Sequence, residues 1–433
     1  MSLSLLFAVE SRGGTINRLL AGAAILWCHA MLIAQPAPRN VFRNIFLLAV
    51  CQALAQSGNV LIIATTALAA QTITGKDFAW TTLPVTLQHL GVMLSVFPAS
   101  LMGQKFGRRN GFAVGSLMGM AGGVLCTAAI YLASFPLLCV GGFAMGYAVA
   151  NMQLYRFAAV ELAPPRERAK AISYVTSSGV AAGIVGPLVA RMTPDIWPHQ
   201  FMATYACLIG LHLAAFFVLR LIVFPSMKVE DRPAADNLPQ RPLSTIARQP
   251  TYVVAVLAGM LSFGVMSFLM TATPLAIVAC GLDPRESPTT MFWHVMGMFV
   301  PAFFTGHLIT RYGVLNVMLW GVAILFAALA IDLGGLDAWN FRIGLLALGV
   351  GWNFLFVGAT TLVTTTYRQS ERGKAQALND FLVFGTTAAA SLLAGIFQAA
   401  WGWAPLNYMA LPLIVAALLA VGWLWLQPRR ATI

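Results

Sequence analysis

Twelve apolar stretches, at 44–70, 82–103, 110–133, 136–160, 169–190, 200–224, 251–280, 289–309, 313–333, 339–366, 375–398 and 403–427, decide what this chain can fold into. At a rise of about 1.5 Å per residue, each spans most or all of a hydrocarbon layer about 30 Å thick. Inside lipid every backbone amide and carbonyl needs a partner from the chain itself, and helices supply one for runs of this kind. The expectation is an all-α membrane protein with twelve transmembrane helices. Composition agrees, because only 9% of the 433 residues are charged, against about 25% in soluble domains.

The formal charge of +12 follows topology rather than nucleic-acid binding. Lys105, Arg108, Arg109, Arg166, Arg168, Lys170, Lys228, Arg232, Arg241, Arg248, Arg311, Arg368, Arg372, Lys374, Arg429 and Arg430 all fall on one side. The opposite loops hold Lys76, Arg191, Arg285 and Arg342. Basic loops stay in the cytoplasm, so both termini are expected there. Residues 1–43 read as an N-terminal extension. Its apolar run 19–34 is short for a span and flanked by basic pairs on both sides, so Met31 is the preferred natural start, with a cleaved signal peptide as the alternative.

The proline-rich, charged stretch 225–250 reads as a flexible cytoplasmic linker between a six-helix bundle at 44–224 and another at 251–427, with 428–433 as a tail. The two sets repeat. GNVLIIATTALAA (58–70) aligns with GVMSFLMTATPLA (264–276), ERAKA (167–171) with ERGKA (371–375), and SLMGQKFGRR (100–109) with GHLITRYGVL (306–315). Duplicated bundles place a transport site at their interface near mid-membrane. SLMGQKFGRR resembles the loop motif of the major facilitator superfamily, glycine-x-x-x-aspartate-arginine-x-glycine-arginine-arginine. Here Ser100 replaces the first glycine, Gln104 the aspartate and Lys105 the arginine, while Gly107, Arg108 and Arg109 match. The resemblance implies two pseudo-symmetric six-helix bundles that rock about a central site, with Gln104, Lys105, Gly107, Arg108 and Arg109 as the gating loop.

No phosphate-binding loop, zinc-protease motif or nucleophile elbow occurs, so an enzyme is not expected and transport would be gradient-driven. The six cysteines lack framework spacing. Soft-metal chemistry is the sharper signal. Met266 and Met270 lie four apart in the seventh span, His294 and Met298 four apart in the eighth, so each pair shares a helix face. With 19 methionines, chance supplies about one such Met pair and about a quarter of one His–Met pair. His89 and Met93 form a second His–Met pair. Counted outward from the turn near 284–285, Met270 and Met298 lie level, His294 about 6 Å further out and Met266 about 6 Å further in. Thioethers favour Cu(I), and imidazole also binds copper.

This four-residue pattern resembles the signature of CcoA-like copper importers within the major facilitator superfamily, as do TPLAIVACG (273–281) and ALNDFLVFG (377–385). The resemblance implies a bacterial inner-membrane importer of copper for haem-copper oxidases, with copper as cargo rather than cofactor and a cytoplasmic copper chaperone as partner. Cys280 and Cys51, with His89 and Met93, are accessory candidates, each also readable as packing; the repeat alignment turns His89 about 100° from the position of His294. Asp380 reads either as a coupling carboxylate or as the partner of a basic residue. Arg156 and Arg220 read as snorkelling to the interface. Rival readings keep the fold. In one, Phe292, Trp293, Trp352, Asn353 and Phe354 bind a flat substrate such as riboflavin, which neighbouring families import, and the methionines form an adaptable wall. Others are an exporter and a membrane sensor.

Overall fold

The protein is described by a computed structural model over residues 39–75, 79–164, 167–224 and 240–427. The extension upstream of Arg39, most of the linker and the tail 428–433 lie outside these residues. Among the described residues, twelve helices are long and apolar enough to cross a membrane: α1 Val41–Thr74, α2 Leu83–Gly103, α3 Arg108–Tyr131, α4 Phe135–Leu162, α5 Lys170–Met192, α6 Met202–Arg220, α7 Pro250–Ala279, α8 Glu286–Tyr312, α9 Val314–Leu333, α10 Ala338–Thr364, α11 Arg372–Trp401 and α12 Trp403–Leu426. Each expected span has its helix. The first helical segment begins at Arg39, inside the stretch assigned to the extension.

The packing pattern repeats with the sequence. In the first bundle α4 packs on α2 and α3, and α3 on α6; in the second, α10 packs on α8 and α9, and α9 on α12. The bundles meet along two seams, α2 with α11 and α5 with α8, which the same six-helix shift exchanges. The loop glycines repeat as well. Gly107 (φ 84°, ψ 151°) and Gly313 (φ 89°, ψ 149°) each turn one helix directly into the next, in a backbone region that side chains disfavour.

Among the described residues three spanning helices are interrupted: α4 at Gln153–Leu154, α5 at Ser178 and α8 at Val300–Pro301. Interrupted backbone within a membrane is tolerated where it is packed in protein or borders a cavity. Gln153, Leu154, Phe299 and Ala302 all line one.

The end of the linker corrects the expectation of flexibility. A short helix, Leu243–Ala247, precedes α7 and buries Ile246. Arg241 holds it to the α10–α11 turn, donating from its backbone N–H to Glu371 Oε1 at 2.7 Å and from Nη2 to Glu371 Oε2 at 2.7 Å and the Thr366 carbonyl at 3.1 Å. Arg368 N–H adds a donor at 3.0 Å, and Lys374 donates to the Arg241 carbonyl. Glu371 is sealed from solvent, and hydrogen bonds from Arg241 hold its carboxyl far below the usual glutamate range. The contribution is therefore full above the ordinary glutamate value of about 4.3 and is lost as pH falls below it. Glu371→Gln should lower the thermal unfolding midpoint at neutral pH, and its deficit against the native chain should shrink below about pH 4. An equal deficit at pH 7 and pH 3.5 would refute this.

The loop after α2 carries a related clamp. Arg108 is bidentate on Glu161 of α4, with Nη2–Oε1 at 2.6 Å. The acid that the loop lacks at position 104 is thus supplied from α4. Arg109 donates to the Arg220 carbonyl, and Lys105 lies over the Phe106 ring. The side chain of Gln104 lies outside the described residues.

Candidate functional site

Between the bundles lies a cavity of about 400 Å³. Its chemistry differs on the two sides. From the second bundle come Phe263 of α7, Trp352 and Phe356 of α10 and Phe384 of α11. Trp352 and Phe356 stack nearly parallel (17°, centroids 5.0 Å apart), and Phe263 sets its edge against both, at 5.1 and 4.7 Å. Such edge-to-face packing fixes ring orientation. From the first bundle come amides. Gln52, Gln56 and Asn59 recur along one face of α1, with Gln88 of α2 beside them. Gln88 Nε2 donates to Asn59 Oδ1 at 2.7 Å. Gln88 Oε1, His89 Nδ1 and Trp352 Nε1 are buried without a hydrogen-bond partner among the described residues. Buried polar atoms left unpaired are costly, and those at a cavity wall are positioned for a ligand or water.

The cavity reaches toward the basic end of the helices, past Arg156, Thr176, Thr361 and Asp380, where Arg372 of α11 lies over Phe157 of α4. Asp380 accepts from Asn379 Nδ2 at 3.0 Å. The opposite end is closed. Ser287 donates to the Ala64 carbonyl at 3.0 Å, Arg191 Nη1 to Thr289 Oγ1 at 3.1 Å, and Arg285 pairs with Asp195 at 3.3 Å. Beyond this seal lies a second hollow of about 210 Å³, bordered by Thr65, Asp195, Phe201, Asp283 and Arg285.

Three of the four proposed ligands, Met266, Met270 and Met298, line the cavity, together with Met291. His294 does not. Its Nδ1 lies 2.8 Å from the Leu345 carbonyl; a carbonyl only accepts, so Nδ1 carries the proton and Nε2 a lone pair with no partner. A step of four residues turns a helix about 40° past a full turn, enough to set His294 against α10 while Met298 borders the cavity. The two histidines thus exchange places while their methionines do not: His89 lines the cavity and His294 packs, whereas Met298 borders the cavity and Met93 lies against Gly385. Cys51 is buried with Sγ 3.7 Å from the Ala215 carbonyl. Cys280 is half-buried at the end of α7, its thiol pushed up by burial and so held away from the metal-binding thiolate. Neither borders the cavity, and among the described residues no three His, Cys, Asp or Glu side chains form a metal-holding group.

Of the aromatic set considered for a flat substrate, Trp352 and Asn353 line the cavity; Phe292, Trp293 and Phe354 do not. Asn353 is committed structurally, donating to the Met298 carbonyl at 2.7 Å and accepting from Thr305 at 2.6 Å. Sequence reasoning missed Phe263, Phe356 and Phe384. It also assigned Arg156 to the interface, whereas Arg156 borders the cavity with an unpaired Nε.

Residues 45–331 match the family model described as Major Facilitator Superfamily. The chain is 40% identical over 390 residues to the riboflavin transporter RfnT of Brucella anthropi, covering 90% of this chain and 97% of that protein. It is 26% identical over 385 residues to the uncharacterized MFS-type transporter YdeG of Bacillus subtilis, covering 86% and 88%. Among solved structures, a bacterial homologue of the human lysosomal transporter Spinster, inward-facing and occupied, superposes with a TM-score of 0.68 at 12% identity over 90% of this chain and 97% of that one. A bacterial metal transporter gives 0.64 at 12% identity over 91% and 100%. At that identity the two structures speak for the fold.

Proposed function

The chain belongs to the Major Facilitator Superfamily, and we propose that it carries riboflavin, or a close flat-ring relative, into the cell by alternating access. It is a membrane transporter and not an enzyme. The observation that carries the substrate is the 40% identity to a riboflavin transporter across nearly that protein's whole length. The cavity supports it: a stacked aromatic wall faces a row of amides, as a flat heteroaromatic ring with a polar edge and a polyol tail requires. The thioethers of Met266, Met270, Met291 and Met298 then serve as a pliable wall against the ring. Weight moves from copper to the aromatic substrate, because His294 does not border the cavity that Met266, Met270 and Met298 line.

The bundles rock about the α2–α11 and α5–α8 seams. With the basic end in the cytoplasm, the seal at Ser287 and Ala64 is the outer gate and the cavity delivers inward. Asp380 is the coupling carboxylate: it borders the same cavity as Arg156, from the opposite bundle, so a proton on it changes the attraction between the bundles.

Expression of this chain in a bacterium that cannot make riboflavin should restore growth at low external riboflavin and leave cell copper unchanged. Absent rescue together with raised cell copper would return the assignment to the metal.

A further inference from the structure

We propose that the two bundles divide recognition of one ligand: Trp352, Phe356 and Phe263 hold its ring face, while Gln88 and Asn59 read an imide edge. This rests on the flavin reading and goes beyond it by assigning specificity to two side chains. Gln88 is 1% exposed, yet it lines the cavity with Oε1 unpaired. Its other amide atom is spent on Asn59 Oδ1 at 2.7 Å, which leaves Asn59 Nδ2 as the donor of the pair. One acceptor and one donor therefore stand side by side. An exchange of O and N in both amides would give the same two-element pattern in reverse order. The complement is a ligand edge with an N–H flanked by carbonyls, which is the imide edge of an isoalloxazine ring.

The geometry orients the rest of the molecule. Asn59, Gln56 and Gln52 run down one face of α1, and seven residues cover about 10 Å along a helix. This stripe leads from the imide reader toward the basic end, and its amides can donate to and accept from the hydroxyls of a polyol chain. Across the cavity, Trp352 presents its ring with Nε1 unpaired, a second donor for a ring heteroatom or carbonyl. A ligand lacking the imide N–H would leave Gln88 Oε1 buried and unpaired, the arrangement that discriminates most strongly in polar pockets.

The test is binding of riboflavin and of 3-methylriboflavin, whose imide hydrogen is replaced by methyl, to the purified full-length protein in detergent, read by flavin fluorescence. The native chain should bind riboflavin about tenfold tighter than the methylated analogue, as one hydrogen bond to a buried acceptor implies. Gln88→Leu should bring the two affinities within about twofold by weakening riboflavin alone. Gln88→Met, of similar length but without the amide acceptor, is the second variant, should the first fail to elute as a single species, and should narrow the ratio likewise. Equal affinity of the native chain for both ligands would overturn the edge assignment and leave flavin transport standing. A tenfold preference that survives in both variants would also overturn it. Binding of neither ligand would overturn the flavin reading and the edge assignment with it.

Discussion

Trp352→Ala is expected to weaken riboflavin binding by about 10- to 100-fold, because stacking of a heteroaromatic ring on an aromatic side chain is worth about 1–3 kcal/mol by alanine substitution. The side chain is 7% exposed and is braced at 5.0 Å by Phe356 and 5.1 Å by Phe263. Alanine therefore removes the platform and lets both neighbours collapse into the space. Trp352→Phe is intermediate: it keeps an aromatic ring while losing the unpaired Nε1 and part of the indole's stacking area, so its loss of affinity should be smaller than that of Trp352→Ala. Affinity is read by quenching of flavin fluorescence in detergent. Unchanged affinity in Trp352→Ala would place the ring elsewhere in the cavity.

Gly183→Leu should reduce riboflavin uptake about fivefold or more while leaving the protein in the membrane. Gly183 of α5 faces α8 across a seam, where an added Cβ would stand 2.5 Å from Met296 Cε and 2.7 Å from Val295 Cγ1. The methionine end can swing aside, but valine is stiff at χ1, so the two helices must part near the closed end. Overpacking costs about 1–3 kcal/mol, and a penalty of that size on one of two states shifts their ratio by about 5- to 150-fold. The state with the Ser287–Ala64 seal closed is the one penalised. A cysteine placed by Ser287→Cys should then react faster with an impermeant thiol reagent when Gly183→Leu is also present. Unaltered uptake and reactivity would mean that the seam is not part of the moving contact.

The fold was legible because hydropathy reports depth. All twelve spans follow from apolar runs that a bilayer imposes; the repeat was visible as aligned segments, whereas the turning role of Gly107 and Gly313 comes from the backbone itself. The site was legible only in part, because facing depends on how each helix is rotated by its neighbours. Met266, Met270 and Met298 reach the cavity as their periodicity implies. His294, one turn from Met298, is drawn to a carbonyl of α10 instead, and His89 takes a place at the wall. Arg156 shows the same limit: its distance from the helix end is compatible with snorkelling, and only packing turns it inward. The aromatic wall was the least visible part. Phe263, Phe356 and Phe384 sit on three different helices among many other phenylalanines, and their convergence is a property of the assembled bundle. Gln88 carries no motif of its own in the sequence, and its pairing with Asn59 of the preceding helix emerges only in the packed bundle.

The central claim is that this cavity moves a flavin. Purified protein in liposomes preloaded with unlabelled riboflavin should exchange it for labelled riboflavin from outside, with label accumulating only when the protein is present and falling at least tenfold in Trp352→Ala. No exchange of riboflavin, with accumulation of Cu(I) under reducing conditions in the same liposomes, would contradict the claim.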